Sequence, residues 1–150
     1  MSAINFYHLT RSTPEAALFQ LLTKAYETGH RCVVRFAHEE DVAAYDTVLW
    51  TRDPEGFLPH GTPASKHVTD EPVLLTSSDE NLNKADFAFI FPDAIVENID
   101  FYERIFFLFE GASEGQVKEA RERWKNLQAK GFEMIYWSQD ETGKWSKKKT

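Results

Sequence analysis

Residues 4–37 have the sequence INFYHLTRSTPEAALFQLLTKAYETGHRCVVRFA, and their pattern predicts the class of fold. β-Branched and aromatic side chains fill residues 4–9 and 31–37, which is typical of two strands. Between them, Ser12-Thr13-Pro14-Glu15 supplies a hydroxyl cap and a first-turn proline, so we expect a helix that ends at Gly29. A strand, a helix and a second strand form a βαβ unit, which implies a parallel sheet.

The same alternation continues through the rest of the chain. The run from 87 to 109 lacks a full-length helix, which predicts one or two antiparallel strands. We therefore expect a single three-layer α/β/α domain over 1–137, with a mostly parallel central sheet and a polar, lysine-rich, frayed tail over 138–150. Further helices are predicted over 39–50 and 113–130, a loop over 61–72, and further strands over 73–76, 87–91, 104–109 and 132–137.

The composition is that of an ordinary globular domain. Hydrophobic residues make up 42% of the chain and charged residues 27%. No apolar run approaches the length of a membrane span and the start of the chain has no signal-peptide pattern, so we expect a cytoplasmic protein without a membrane partner. The one cysteine, Cys32, excludes an internal disulfide and lies in an apolar run, which is typical of an inert buried thiol.

The charge is unevenly distributed along the chain. Residues 113–149 contain nine Lys and Arg against six Asp and Glu, whereas residues 1–112 contain eight against eighteen. The formal net charge of -7 argues against direct nucleic-acid binding, because affinity for phosphate depends on clustered Lys and Arg. A basic segment on an acidic body can nevertheless bind an acidic peptide.

Sequence motifs of enzymes are mostly absent. The chain contains no glycine-rich phosphate loop and no nucleophile elbow. His60 and His67 share a loop, but their spacing matches no standard metal site. The acidic run after His38 lies at a helix start, where carboxylates favourably face the helix dipole. We therefore predict no catalytic residues, no metal and no cofactor.

The helix predicted over 113–130 combines an apolar stripe with a basic flank. Lys118, Arg121 and Lys125 follow helical spacing beside Trp124, which belongs to the stripe. The residues alone leave two interpretations open. This flank is either an ordinary solvated face or a peptide site, in which an aromatic wall and two or three cations receive an apolar peptide with a carboxylate.

The tract over 49–60, LWTRDPEGFLPH, is the second candidate surface. Pro59 disfavours helical geometry at Leu58, so the chain should leave the helix after Trp50 as an ordered loop. Trp50 and Phe57 belong either to the core or to an apolar docking surface, since clustered aromatic residues that cannot all be covered mark partner sites.

Three motifs occur in the order and at nearly the spacing of a known family. They are Asn5-Phe6-Tyr7, the tract over 49–60, and Arg121-Glu122-Arg123-Trp124-Lys125. Over about residues 4–137 the chain resembles the chi subunit of bacterial DNA polymerase III, a small accessory protein of the clamp-loader assembly. The resemblance implies a three-layer α/β/α fold and a non-catalytic adaptor.

The resemblance also implies two binding sites. In chi subunits, a helix with an Arg-x-x-aromatic-Lys pattern receives the acidic, aromatic C-terminal tail of the single-stranded-DNA-binding protein. That pattern falls here on Arg121, Trp124 and Lys125, with Trp where Tyr is familiar. Val117 stands where a further lysine is often found, and Lys118 beside it is the substitute.

The second implied site docks another subunit. Positions that match Trp50, Phe57 and Pro59 form the surface that binds the psi subunit in this family, and a repair-type helicase competes for it. Two alternatives remain open from the sequence. One is a small α/β nucleotide-processing enzyme with an unrecognised site, and the other is a helicase-associated adaptor of the same fold.

Overall fold

The computed structural model describes residues 2–52, 58–96 and 98–148, and their strands form one sheet. Short 3-10 turns at Val68–Asp70 and Ile99–Phe101 accompany the main elements. In chain order the elements are β1 (Ala3–Leu9), α1 (Pro14–Glu27), β2 (Cys32–Arg35), α2 (Glu39–Arg52), β3 (Val73–Thr76), β4 (Phe87–Ile90), β5 (Arg104–Glu110), α3 (Glu114–Ala129), β6 (Glu133–Gln139) and β7 (Trp145–Lys148).

The sheet has the order β3-β2-β4-β5-β1-β6-β7 and is parallel except for its last pair. β1 lies between β5 and β6, with Phe6 opposite both Phe107 and Tyr136. The α/β class, the mostly parallel sheet and the presence of an antiparallel strand are therefore confirmed. The position of that strand is corrected: β4 and β5 are parallel, because the connection over 91–103 is long enough to cross over without an α helix.

Local signals place the ends of the helices. Thr13 caps α1 by accepting a hydrogen bond from the Ala16 amide, and Ser113 caps α3 by accepting one from Gln116. Gly29 and Gly131 follow the two helices with φ of 84° and 85°, a backbone region that glycine adopts without strain.

Helices cover both faces of the sheet. On the α1 face, Leu18, Leu22 and Leu49 from α1 and α2 pack in one buried cluster with Val34 and Phe89 of the sheet. On the α3 face, Ala120 and Leu127 pack in a second cluster with Phe6 and Phe107. Because strand side chains alternate, Asn5 and Tyr7 point to the α1 face while Ile4, Phe6 and His8 point to the α3 face.

The expectation of a frayed tail from residue 138 is wrong for residues 138–148. Asp140 Oδ1 accepts hydrogen bonds from the amides of Thr142 and Lys144, and Gly143 follows with φ of 85°, which makes a tight turn into β7. The Trp145 ring then packs edge-on against Tyr7 at 5.0 Å between ring centroids. This hairpin extends the sheet because burial of an aromatic ring offsets the entropy of ordering the segment.

None of the helices in the described residues combines the length and the hydrophobicity that a bilayer crossing requires.

Candidate functional site

The basic flank of α3 is exposed, as the helical spacing indicates. Lys118, Arg121 and Lys125 all lie on the solvent side. Trp124 is half-buried and its ring is held edge-on by Phe6 at 5.3 Å and by Tyr136 at 5.9 Å between centroids. The structure therefore places three exposed cations on the same helix as an aromatic ring that is packed on two sides.

Three further aromatic side chains lie beside Trp124, of which His8 and Tyr136 are half-buried and Phe109 is buried. Tyr136 Oη lies 2.6 Å from His8 Nδ1, and the His8 ring stacks on Phe109 at 5.0 Å. Tyr136 in turn contacts Trp124. These residues could not be predicted from the sequence, because they come from β6, β1 and β5, which only the parallel register brings side by side.

Gly111 allows the chain to close tightly around His8. A Cβ at this position would clash with His8 Nε2, far inside van der Waals contact. The Gly111 amide donates to the Leu9 carbonyl at 2.8 Å and so continues the ladder between β1 and β5. The absence of a side chain at Gly111 therefore leaves room for the His8 ring.

The electrostatics of this surface link His8 to the cations. Burial, and then the positive charges of Lys148 and Arg121, hold the pKa of His8 below its ordinary value. Burial raises the pKa of Tyr136, and Arg121 partly opposes this shift. At neutral pH the imidazole is therefore neutral, and its Nδ1 shares a hydrogen bond with the Tyr136 hydroxyl.

Arg123 has a different role from the three cations of the flank. Its guanidinium donates to the Ala94 carbonyl at 2.8 Å, lies 3.5 Å from a Glu119 carboxylate oxygen and stacks over Phe107 at 4.8 Å. Burial lowers its pKa, which Glu119 counteracts. Within the described ranges, no ion pair involves Lys118, Arg121 or Lys125, so their charges remain available to a ligand.

The second predicted surface is only partly described. Trp50, near the end of α2, is 44% exposed, and its ring lies on that of His60 at 4.0 Å. Leu49 and Leu58 are buried and anchor the tract, and Pro59 is half-buried. Trp50 therefore lies at the surface rather than wholly in the core. Phe57 lies outside the described residues.

The turn after β1 is where related α/β folds hold a phosphate. Here Gln139 Oε1 accepts hydrogen bonds from the amides of Thr10, Arg11 and Ser12 at 3.1, 2.9 and 3.1 Å. Its amide nitrogen donates to Ser12 Oγ at 2.7 Å. The backbone donors at this turn are therefore satisfied by a side chain of the protein itself.

Two groups that resemble reactive or metal sites have structural explanations. His30, Asp86 and Glu103 place ligand atoms within 4.8 Å of one another. Both Asp86 oxygens already accept hydrogen bonds, from His30 Nδ1 at 2.8 Å and from the Arg31 amide at 2.7 Å. Burial raises the pKa of the Cys32 thiol to about 12, so this thiol stays protonated and inert.

Comparison with known proteins gives consistent results. A family model described as "DNA polymerase III chi subunit, HolC" matches residues 1–135, which include Trp50 and the whole basic flank of α3. The "Probable DNA polymerase III subunit chi" of Rickettsia prowazekii (strain Madrid E) is 24% identical over 85 residues, or 57% of this chain. The chain spans about half, 52%, of that relative's length. Since the family model covers most of the chain, the protein belongs to the DNA polymerase III chi subunit family, whose members are replication accessory subunits.

Proposed function

We propose that this protein is a non-catalytic adaptor that joins the clamp loader, through psi, to the acidic C-terminal tail of the single-stranded-DNA-binding protein. The observation that carries the proposal is the basic flank of α3. Arg121, Lys125 and Lys118 are exposed and form no ion pair within the described residues, and they lie on the same helix as Trp124, whose ring packs against Phe6 and Tyr136. As a replication subunit, it would act in the cytoplasm.

The chemistry of this flank suits an acidic peptide with an aromatic end. Arg121 can pair with a carboxylate through two parallel hydrogen bonds, whereas the lysines act as point charges. An apolar side chain of the peptide would pack on Trp124. Because the body of the protein is acidic, a peptide is favoured over a nucleic acid, whose many phosphates it would repel.

The psi subunit would bind at a second surface, around Trp50, Phe57 and Pro59. The 44% exposure of Trp50 supports this assignment, because an aromatic ring at an exposed helix end is a typical interface anchor. A repair-type helicase would use the same surface. Binding both partners at once would raise the effective concentration of the polymerase at template coated with single-stranded-DNA-binding protein, and no chemical step is needed.

A binding experiment tests the peptide site. A fluorescent peptide with an acidic, aromatic C-terminus should bind the parent protein, and its affinity should fall as salt rises. The double variant Arg121→Ala/Lys125→Ala should bind at least about tenfold more weakly, whereas Lys66→Ala, an exposed lysine elsewhere, should bind as the parent does. Equal binding by all three proteins would show that the flank is only a solvated face.

A separate experiment tests the psi surface. Phe57→Ala should leave the protein folded but weaken co-purification with psi, since hot-spot aromatic residues typically contribute about 2 kcal/mol or more. Loss of the circular dichroism signal of the folded protein would assign Phe57 to the core instead. Unchanged co-purification of a folded variant would remove this residue from the interface.

A further inference from the structure

A groove opens on the α1 face of the sheet, on the other side from α3 and its basic flank. It has a volume of about 520 Å³, within the range of small-molecule sites. α1 packs over β2 and β5, which leaves the strands toward β7 accessible beside it. Six aromatic side chains belong to the lining: Tyr7, Phe87, Phe89, Phe106, Trp137 and Trp145.

These rings form a rigid apolar surface. Tyr7 and Trp137 are parallel within 8° with centroids 5.8 Å apart, and Trp145 stands edge-on to Tyr7 at 83°. Phe89 and Phe106 are stacked at 4.5 Å. A surface made of aromatic faces and edges favours a planar, aromatic ligand.

Two buried polar side chains line this groove without satisfying all their hydrogen bonds. Asn5 is 5% exposed, and its Oδ1 accepts from Trp137 Nε1 at 3.0 Å, which fixes the orientation of the amide. Neither Asn5 Nδ2 nor Tyr7 Oη has a hydrogen-bond partner within residues 2–52, 58–96 and 98–148. Neither atom is among the fully buried polar atoms that lack a partner in the described residues, so both reach solvent in the groove and can donate to a ligand that carries acceptors.

Two cations at the groove supply the charge. Lys24 of α1 and Arg104 of β5 both line it, and neither forms an ion pair among the described residues. The Arg104 guanidinium lies over the Phe87 ring at 5.5 Å. Together they match a group with two negative charges, and no glycine-rich loop is present to hold a longer polyphosphate.

We propose that this groove binds a nucleoside monophosphate, with the base against the aromatic lining and the phosphate at Lys24 and Arg104. Asn5 Nδ2 and the Tyr7 hydroxyl donate to acceptors on the base or the ribose. A base supplies the planar ring and the acceptors, and a monophosphate supplies the matching charge. The site is independent of the peptide site, because the two lie on opposite faces of the sheet.

The test is calorimetric titration of the full chain with AMP, GMP, CMP and UMP, each compared with its nucleoside and with inorganic phosphate. At least one nucleotide should bind with Kd below about 1 mM. The corresponding nucleoside and inorganic phosphate should each bind at least about tenfold more weakly, because the nucleoside lacks the phosphate and inorganic phosphate lacks the base. The proposal would be overturned if none of the four nucleotides bound, or if the nucleosides bound as tightly as the nucleotides.

Variants assign the binding to the groove. Lys24→Gln and Arg104→Gln are exposed changes, and each should weaken nucleotide binding about tenfold while the acidic peptide still binds at α3. Lys66→Gln is the matched control and should bind as the parent does. Asn5→Asp keeps an acceptor for Trp137 but exchanges the donor for a carboxylate, so it should abolish binding. If the Lys24→Gln/Arg104→Gln double variant binds nucleotide as the parent does, the groove is not the site.

Discussion

Two arginines on α3 have different roles although only Glu122 separates them. Arg121 is exposed, whereas Arg123 bonds to the Ala94 carbonyl and stacks over Phe107. Arg121→Ala should therefore weaken peptide binding by about 1.5–3 kcal/mol and leave thermal stability nearly unchanged. Arg123→Ala should do the reverse, with a loss of about 1–3 kcal/mol of unfolding free energy. Peptide titrations and urea unfolding of both variants measure this contrast, and equal behaviour of the two would contradict it.

His8 makes stability depend on pH. Because its pKa is lowered in the folded state, the unfolded chain binds more protons as the pH falls below about 6.5, and the folded protein loses stability there. Urea unfolding at about pH 7.5 and pH 5.5 should show a smaller acid loss for His8→Gln than for the parent. An unchanged difference between the two pH values would show that His8 does not contribute.

At the scale of elements, β7 is an integral part of the sheet. Its Trp145 covers Tyr7 and lines the groove, while Lys147 on the same strand is exposed. Trp145→Ala should reduce the unfolding free energy by about 1–3 kcal/mol, because a half-buried indole loses its contacts, and Lys147→Ala should be nearly neutral. Denaturant unfolding of both proteins checks this expectation. If the two variants lose the same free energy of unfolding, the packing of β7 does not stabilise the domain.

The connection over 91–103 shows why local patterns did not predict the order of the strands. Arg35 is 2% exposed and lies beneath this connection, where it donates to the Tyr102 hydroxyl, to Asp79 and to the Ile95 carbonyl. A charged side chain at the end of an apolar strand would ordinarily be placed at the surface. Its partners come from two separate connections, over 77–86 and 91–103, so periodicity within a strand carries no information about them.

At the scale of the whole molecule, the net charge of -7 predicts that the protein does not bind single-stranded DNA directly. The cations of α3 form a local patch on an acidic body rather than a continuous groove for the phosphate backbone. A labelled oligonucleotide should therefore remain unbound at about 0.15 M salt. The same oligonucleotide coated with its binding protein should recruit the chain through the acidic tails. Tight binding of bare oligonucleotide would contradict the adaptor function.

Properties written in contiguous residues were predictable from the sequence. The hydroxyl cap before Pro14, the glycine that ends the first helix and the alternation of apolar strands with helices predict an α/β fold with a mostly parallel sheet. The cationic spacing of α3 likewise follows from helical periodicity. Each of these depends on interactions between neighbours a few residues apart.

The tertiary structure alone decided the properties that require distant residues to meet. The register of β1 between β5 and β6 brings His8, Phe109 and Tyr136 to the basic flank, and it brings Asn5 to Trp137 in the groove. The residues that were expected to form a tail instead form β7, because Trp145 packs against Tyr7, which is distant in the sequence. Long-range pairing of this kind depends on the order of the strands in the sheet, which a local sequence pattern does not predict.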